Sequence, residues 1–199
     1  MVTQARQLSK RGATIIAVTV ARSRGCGRAI AVAGAVVALA AATPALADHR
    51  PPIAALHVRH VADAQRGLLY SYEWVRPGGH GLCVAEAADG IRHWGHALRV
   101  GSGKHVARIV FANRTRPRSL AISGWRRLGS GGAPVGRPHH FDYELSPRRH
   151  AGRVKAWRAR FSYRLRAGHH LYFDVFGRWR DRQGCGGTQD ASWTFHVKA

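Results

Sequence analysis

Residues 155–166 alternate between apolar side chains and arginines. Trp157, Ala159, Phe161, Tyr163 and Leu165 are interleaved with Arg158, Arg160, Ser162, Arg164 and Arg166. Successive side chains on a β-strand point to opposite faces, so this stretch is a half-buried strand, apolar face inward and arginines outward. A helix would scatter the same apolar residues around its circumference. Residues 171–179 repeat the pattern. Leu171, Phe173, Val175, Gly177 and Trp179 turn inward, while Tyr172, Asp174, Phe176 and Arg178 turn outward. Trp193, Phe195 and Val197 define a third such strand at the C-terminus.

Ala167-Gly168-His169 separates the first two strands. A three-residue loop with Gly suits a β-hairpin with a bulge. In that register Leu165 faces Leu171, Tyr163 faces Phe173, Phe161 faces Val175, Ala159 faces Gly177 and Trp157 faces Trp179. Weaker strands precede these. Leu68, Tyr70, Tyr72 and Trp74 share one face, and 82–85, 97–100, 106–111, 120–125 and 141–145 are short strand-like runs. Turns rich in Gly, Pro and Ser separate them at 77–79, 101–103, 129–134 and 184–187. About eight short strands with such spacing, and no sustained helical period, indicate an all-β, Ig-like antiparallel β-sandwich. Its expected core is Trp157, Phe161, Tyr163, Phe173, Val175, Trp179, Trp193 and Phe195.

The N-terminus reads differently. Residues 1–47 hold no Asp or Glu but carry Arg6, Lys10, Arg11, Arg22, Arg24 and Arg28. An apolar run at 29–42, Pro44 and Ala45-Leu46-Ala47 follow. A basic region, a short apolar region and an A-x-A site make a secretory signal peptide. The apolar run is shorter than the roughly 20 residues of a spanning helix, so no membrane span is expected once the signal is removed. The competing reading is an uncleaved N-terminal anchor. The expected organisation is a signal peptide at 1–47, a flexible lead-in at 48–64 ending in a first strand, and a β-sandwich domain at 65–199, in a secreted, extracellular protein. Cys26 leaves with the signal, and Cys83 and Cys185 remain. In an oxidising compartment the default is one disulfide closing a loop of roughly 100 residues; a free thiol or a metal ligand is the alternative.

Ser71-Tyr72-Glu73-Trp74, Cys83, and the closing stretch 184–195 (Gly-Cys-Gly-Gly-x-Gln-Asp-Ala-Ser-Trp-Thr-Phe) resemble uncharacterised secreted Ig-like β-sandwich proteins of actinobacteria. The resemblance spans most of the domain and implies fold and export, with no activity attached. Those relatives often carry Cys where this chain has Glu73.

The chain has 32 Lys+Arg against 10 Asp+Glu, a net charge of +22, yet is 45% hydrophobic, which excludes a disordered basic tail. Alternate strand residues lie roughly 6.5–7 Å apart, near the spacing of successive phosphates in a polyanion. The expected binding surface is Arg158, Arg160, Arg164, Arg166, Arg178 and Arg180 with Tyr172 and Phe176 as stacking platforms, and the partner an anionic polymer or cell-envelope surface. The competing explanation is that cationic side chains on an edge strand prevent sheet-to-sheet aggregation. Asp142 and Glu144, alike on one face, are placed to neutralise part of the ladder. A protein–protein adhesion module and a metal or hydrolytic site built from distant loops are the other function classes.

His57-x-x-His60 and His93-x-x-His96 have metal-site spacings, but without a helix they do not converge. The doublets His139-His140 and His169-His170 point to opposite faces of a strand. Enzyme motifs are absent: no G-x-S-x-G, no phosphate loop at Gly103-Lys104 and no H-E-x-x-H. A non-catalytic protein without cofactor or metal, and with no small-molecule substrate evident, is expected. Asn113-Arg114-Thr115 matches a glycosylation sequon by chance.

Overall fold

A computed structural model describes residues 50–78, 82–181, 184–186 and 188–199. The leader read at 1–47 lies outside the described residues, as do Gly79 and Gly187 of two expected turns. Twelve strands are present among the described residues. In chain order they are β1 (Ala54–Val58), β2 (Ala64–Arg66), β3 (Leu68–Pro77), β4 (Cys83–Asp89), β5 (Leu98–Arg99), β6 (Gly103–Phe111), β7 (Ser119–Trp125), β8 (His139–His140), β9 (Glu144–His150), β10 (Arg153–Leu165), β11 (His170–Arg180) and β12 (Thr188–Lys198). One sheet has five strands in the order β2-β1-β6-β10-β9. The other has seven, β4-β3-β12-β11-β7-β8, with β5 alongside β12. Pairing is antiparallel except between β5 and β12. The protein is an all-β sandwich. It has more strands than the eight expected because β1 lies in the segment read as a lead-in and strands as short as β2 and β8 leave no alternation to read. No helix among the described residues is long and apolar enough to cross a membrane.

The two sheets meet through their alternating inward residues, as sandwiches do. Leu56, Ile109, Phe111 and Phe161 from the five-stranded sheet face Trp74, Ile122, Phe173, Trp179, Trp193 and Phe195 from the seven-stranded one, all buried. Aromatic edges meet faces across the interior: Phe161 and Phe173 lie 5.4 Å apart at 79°, and Trp179 and Trp193 5.9 Å apart at 87°. Of the expected core, Trp157 alone is only half-buried; Arg116 sits over its indole at 5.6 Å. Buried indoles need an acceptor. The loop after β6 supplies two, since Trp157 donates to the Arg114 carbonyl and Trp179 to the Thr115 carbonyl. Asn113 holds that loop: it is 2% exposed and its Oδ1 accepts from the Thr115 amide. The sequon is a turn whose asparagine is buried.

Three expectations need correction. β10 and β11 do not pair. β10 lies between β6 and β9 in one sheet, and β11 between β12 and β7 in the other. The short connection around Gly168 (φ +72°) is an arch from sheet to sheet. Both strands present alternate residues to one core from opposite sides, and alternation alone does not distinguish an arch from a hairpin. Second, β1 falls inside the supposed lead-in at 48–64, yet Ala54, Leu56 and Val58 are buried core residues. The folded domain starts before residue 65. Third, Tyr70 does not share a face with Tyr72 and Trp74. The β3–β12 register shifts between Ser192 and Trp193. The bulge turns Tyr70 outward, where it meets Asp174, while Trp74 stays in the core.

Gly177 is one of the inward positions of β11. A Cβ there would lie 2.5 Å from Cη2 of Trp179. The indole cannot retreat, because Trp74, Phe111 and Trp193 surround it with centroids at 5.7, 5.9 and 5.9 Å. Gly177→Ala is expected to cost about 1–3 kcal/mol by overpacking, checked by urea unfolding.

Cys83, the first residue of β4, is bonded to Cys185 in the β11–β12 connection, with Cα atoms 5.6 Å apart. The bridge ties the outermost strand of the seven-stranded sheet to its central hairpin.

Candidate functional site

Charge divides unevenly between the sheets. Among the described residues, the strands of the five-stranded sheet carry ten Lys or Arg and one acid, Glu144. The strands of the seven-stranded sheet carry five of each sign. The excess charge of the domain's sheets therefore sits on one side.

The outer face of the five-stranded sheet is built by parity. Inward Ala159, Phe161, Tyr163 and Leu165 leave Arg158, Arg160 and Arg164 pointing out from β10. Inward Ala107, Ile109 and Phe111 leave Lys104 and Arg108 pointing out from β6. The register places Arg160 directly opposite Arg108, and Arg164 opposite Lys104. Like charges directly opposite across a strand pair are destabilising. Among the described residues one counter-charge is close: Glu144, opposite Arg160 on β9, approaches it at 3.7 Å. Both side chains are more than half exposed, so the pair contributes little. Arg158 is poorly satisfied. Among the described residues its Nε is buried without a partner, and Nη2 reaches the Pro147 carbonyl at 3.4 Å.

Arg59, Arg108, Glu144, Arg158 and Arg160 line a shallow groove of about 420 Å³ on this face. His57, opposite Arg108 on β1, registers the local field. Burial pushes its imidazole below the ordinary 6.5, and the charges of Arg108 and Arg148 push it further the same way.

The eight residues expected to form one surface fall on two. Arg158, Arg160 and Arg164 lie on the five-stranded sheet, with Arg166 exposed just beyond β10. Tyr172, Phe176, Arg178 and Arg180 belong to β11 on the opposite sheet. The arch puts the sandwich between them, so the aromatics cannot interleave with the arginines of β10. Tyr172 is stacked on His196 at 4.4 Å and lies 5.3 Å from Trp94. Arg178 covers Phe176 at 5.5 Å and approaches Asp190 at 3.7 Å. Arg180 joins Arg116 and Arg118 at a separate cleft of about 740 Å³. Sequence reasoning missed Lys104 and Arg108. Their alternation was present, but the apolar Val106 and Val110 between and beyond them made 106–111 look like a buried run.

The outer side of the seven-stranded sheet is closed differently. Segment 90–97 crosses it as a strap. Arg92 pairs with Asp174 at 2.9 Å and donates to the Tyr70 hydroxyl at 3.1 Å; Tyr70 in turn donates to Asp174 at 2.9 Å. Arg92 also lies over the rings of Tyr70 and Trp125. Thr194 donates to the His93 carbonyl, and Trp94 to the Gly132 carbonyl. Burial raises the Asp174 carboxyl above its ordinary value, with Tyr70 and Arg92 pulling the other way. Burial likewise raises the Tyr70 phenol and lowers the His196 imidazole. His170 and His196 share a hydrogen bond of 2.7 Å. Among the described residues no group of three or more His, Cys, Asp or Glu is placed to hold a metal ion. The buried carboxylate of this face is thus paired within it.

No family model, curated protein or solved structure matches the chain.

Proposed function

We propose that this is an exported, non-catalytic β-sandwich that binds an anionic polymer or an anionic cell-envelope surface through the outer face of its five-stranded sheet. The observation that carries the reading is the facing of Arg160 with Arg108 and of Arg164 with Lys104 on β6 and β10. At Arg160 and Arg108 both strands are flanked, by Glu144 of β9 and His57 of β1. Protection of a free edge therefore does not account for the Arg160–Arg108 pair. A bound polyanion relieves the repulsion and releases its own counterions. Export is supported by the leader sequence and by the Cys83–Cys185 bridge, since disulfides persist in oxidising compartments.

The test is binding of the folded domain to inorganic polyphosphate, a single-stranded oligonucleotide and phosphatidylglycerol vesicles across a salt series. Wild type is expected to show a log–log salt slope of several units on at least one of them. Arg108→Gln with Arg160→Gln is expected to weaken binding about tenfold or more. It is also expected to reduce the slope by about 1.5, since each phosphate neutralised by the protein adds roughly 0.7–0.9. The same double variant is expected to melt no lower than wild type at low salt, because a repulsive pair has gone. Equal, weak and salt-insensitive binding by both proteins overturns the reading.

A further inference from the structure

A second cleft, of about 530 Å³, opens at the seam between the two sheets. Phe141, Tyr163 and Leu171 line it with apolar surface, and Lys104, Arg126 and Arg164 line it with positive charge. The cations come from both sheets: Lys104 and Arg164 from β6 and β10, Arg126 from the residue after β7. Among the described residues no Asp or Glu lines the cleft, and none of the three cations makes an ion pair. The apolar part is rigid. Phe141 is wedged between the sheets, 5.5 Å from both Phe161 and Phe173, and Tyr163 packs 5.4 Å from Phe173. Gly124 admits that wedge, since a Cβ there would lie 2.8 Å from the Phe141 ring.

Tyr163 supplies an independent observation. Its hydroxyl is shielded from solvent and has no hydrogen-bond partner among the described residues. Burial raises the phenol well above its ordinary value, so it is a neutral donor. An unsatisfied buried hydroxyl costs about 1–3 kcal/mol and calls for a reason. A ligand acceptor supplies one.

We propose that this cleft binds a small anionic amphiphile: a carboxylate or phosphate head held by Lys104, Arg126 and Arg164, with the Tyr163 hydroxyl donating to it, and an apolar tail against Phe141 and Leu171. The volume lies in the ordinary range for small-molecule sites, which combine apolar walls with a few convergent polar groups. A polymer on the exposed groove gains nothing from the apolar wall, and a bare inorganic ion leaves it unused. The site goes beyond the polyanion reading. It shares Lys104 and Arg164 with the basic face, but Arg126, Tyr163, Phe141 and Leu171 are its own.

Calorimetric titration of the folded domain with decanoate and with decyl phosphate, against acetate and decanol, tests it. Saturable binding of decanoate or decyl phosphate at least tenfold tighter than acetate and decanol is expected. Arg126→Gln and Tyr163→Phe are each expected to weaken it about three- to tenfold, the range of one missing hydrogen bond. Tyr163→Phe is also expected to leave the apo domain as stable as wild type or more so, because it removes an unsatisfied polar atom. Arg108→Gln with Arg160→Gln is expected to leave decanoate binding unchanged while losing polyphosphate, which separates this site from the basic face. Absence of saturable binding, affinity unchanged in either single variant, or loss of decanoate binding in the Arg108/Arg160 variant overturns the proposal.

Discussion

Arg92→Ala is expected to destabilise the domain by about 2–4 kcal/mol at pH 7, and Asp174→Asn by clearly less. The asymmetry follows from burial. The Asp174 side chain is 10% exposed and that of Arg92 40%. Removing the arginine strands a carboxylate in the sheet face with only the Tyr70 hydroxyl to stabilise it. Removing the carboxyl charge leaves a guanidinium that water reaches, and an Asn oxygen still accepts from Tyr70. Combining the two changes is therefore expected to cost less than the sum of each alone. The pH dependence has a definite sign. Burial already holds Asp174 above its ordinary 3.8, and loss of Arg92 raises it further. A carboxyl raised on folding binds its proton more tightly in the folded state. Its contribution to stability is greatest below the unfolded value and falls as pH rises through the folded one. The gap between wild type and Arg92→Ala should thus narrow near pH 4 and be full at pH 7. Urea unfolding of the four proteins at both pH values measures it. A gap of the same size at both would mean that Arg92 acts through its packing on Tyr70 and Trp125 rather than its charge.

Loss of the Cys83–Cys185 bridge, by reduction or by Cys83→Ser with Cys185→Ser, is expected to cost about 2–5 kcal/mol. The sequence separation of 102 places the chain-entropy contribution near the top of that range. The position of the bridge also predicts where the loss is felt first. Cys83 opens β4, which among the described strands pairs only with β3, and β4 leads directly into the strap that Arg92 anchors. Hydrogen exchange in the reduced protein should rise first at 83–97, ahead of β11 and β12. Denaturant melts with and without reductant give the magnitude, and intact mass before and after alkylation shows whether the thiols are bonded. Uniform exchange across both sheets would mean that the bridge stabilises only through the unfolded chain.

What the sequence made legible was local. Period-two alternation located β10, β11 and β12 and nearly all of the core they supply, because parity needs no knowledge of partners. Partners are another matter. Nothing in Ala167-Gly168-His169 distinguishes an arch from a hairpin; that choice is made by β6, β9, β7 and β12, which lie elsewhere in the chain. The error moved half of the expected binding surface to the wrong side of the molecule. A single bulge had a similar effect on Tyr70, reversing a face assignment that simple alternation had settled. Lys104 and Arg108 were hidden by apolar neighbours on the solvent side, and the Arg92–Asp174–Tyr70 lock joins residues from a loop and two strands that no spacing links. The charge total was visible at once, but its segregation onto one sheet depends on topology.

That segregation has an electrical consequence. Two layers about 10 Å apart, one strongly positive and one balanced, give the pair of sheets a dipole along the sandwich normal. Approaching a negatively charged wall, such a body feels a torque before it touches anything. It should arrive face-on, adsorbing in one orientation with the strap side turned away from the wall.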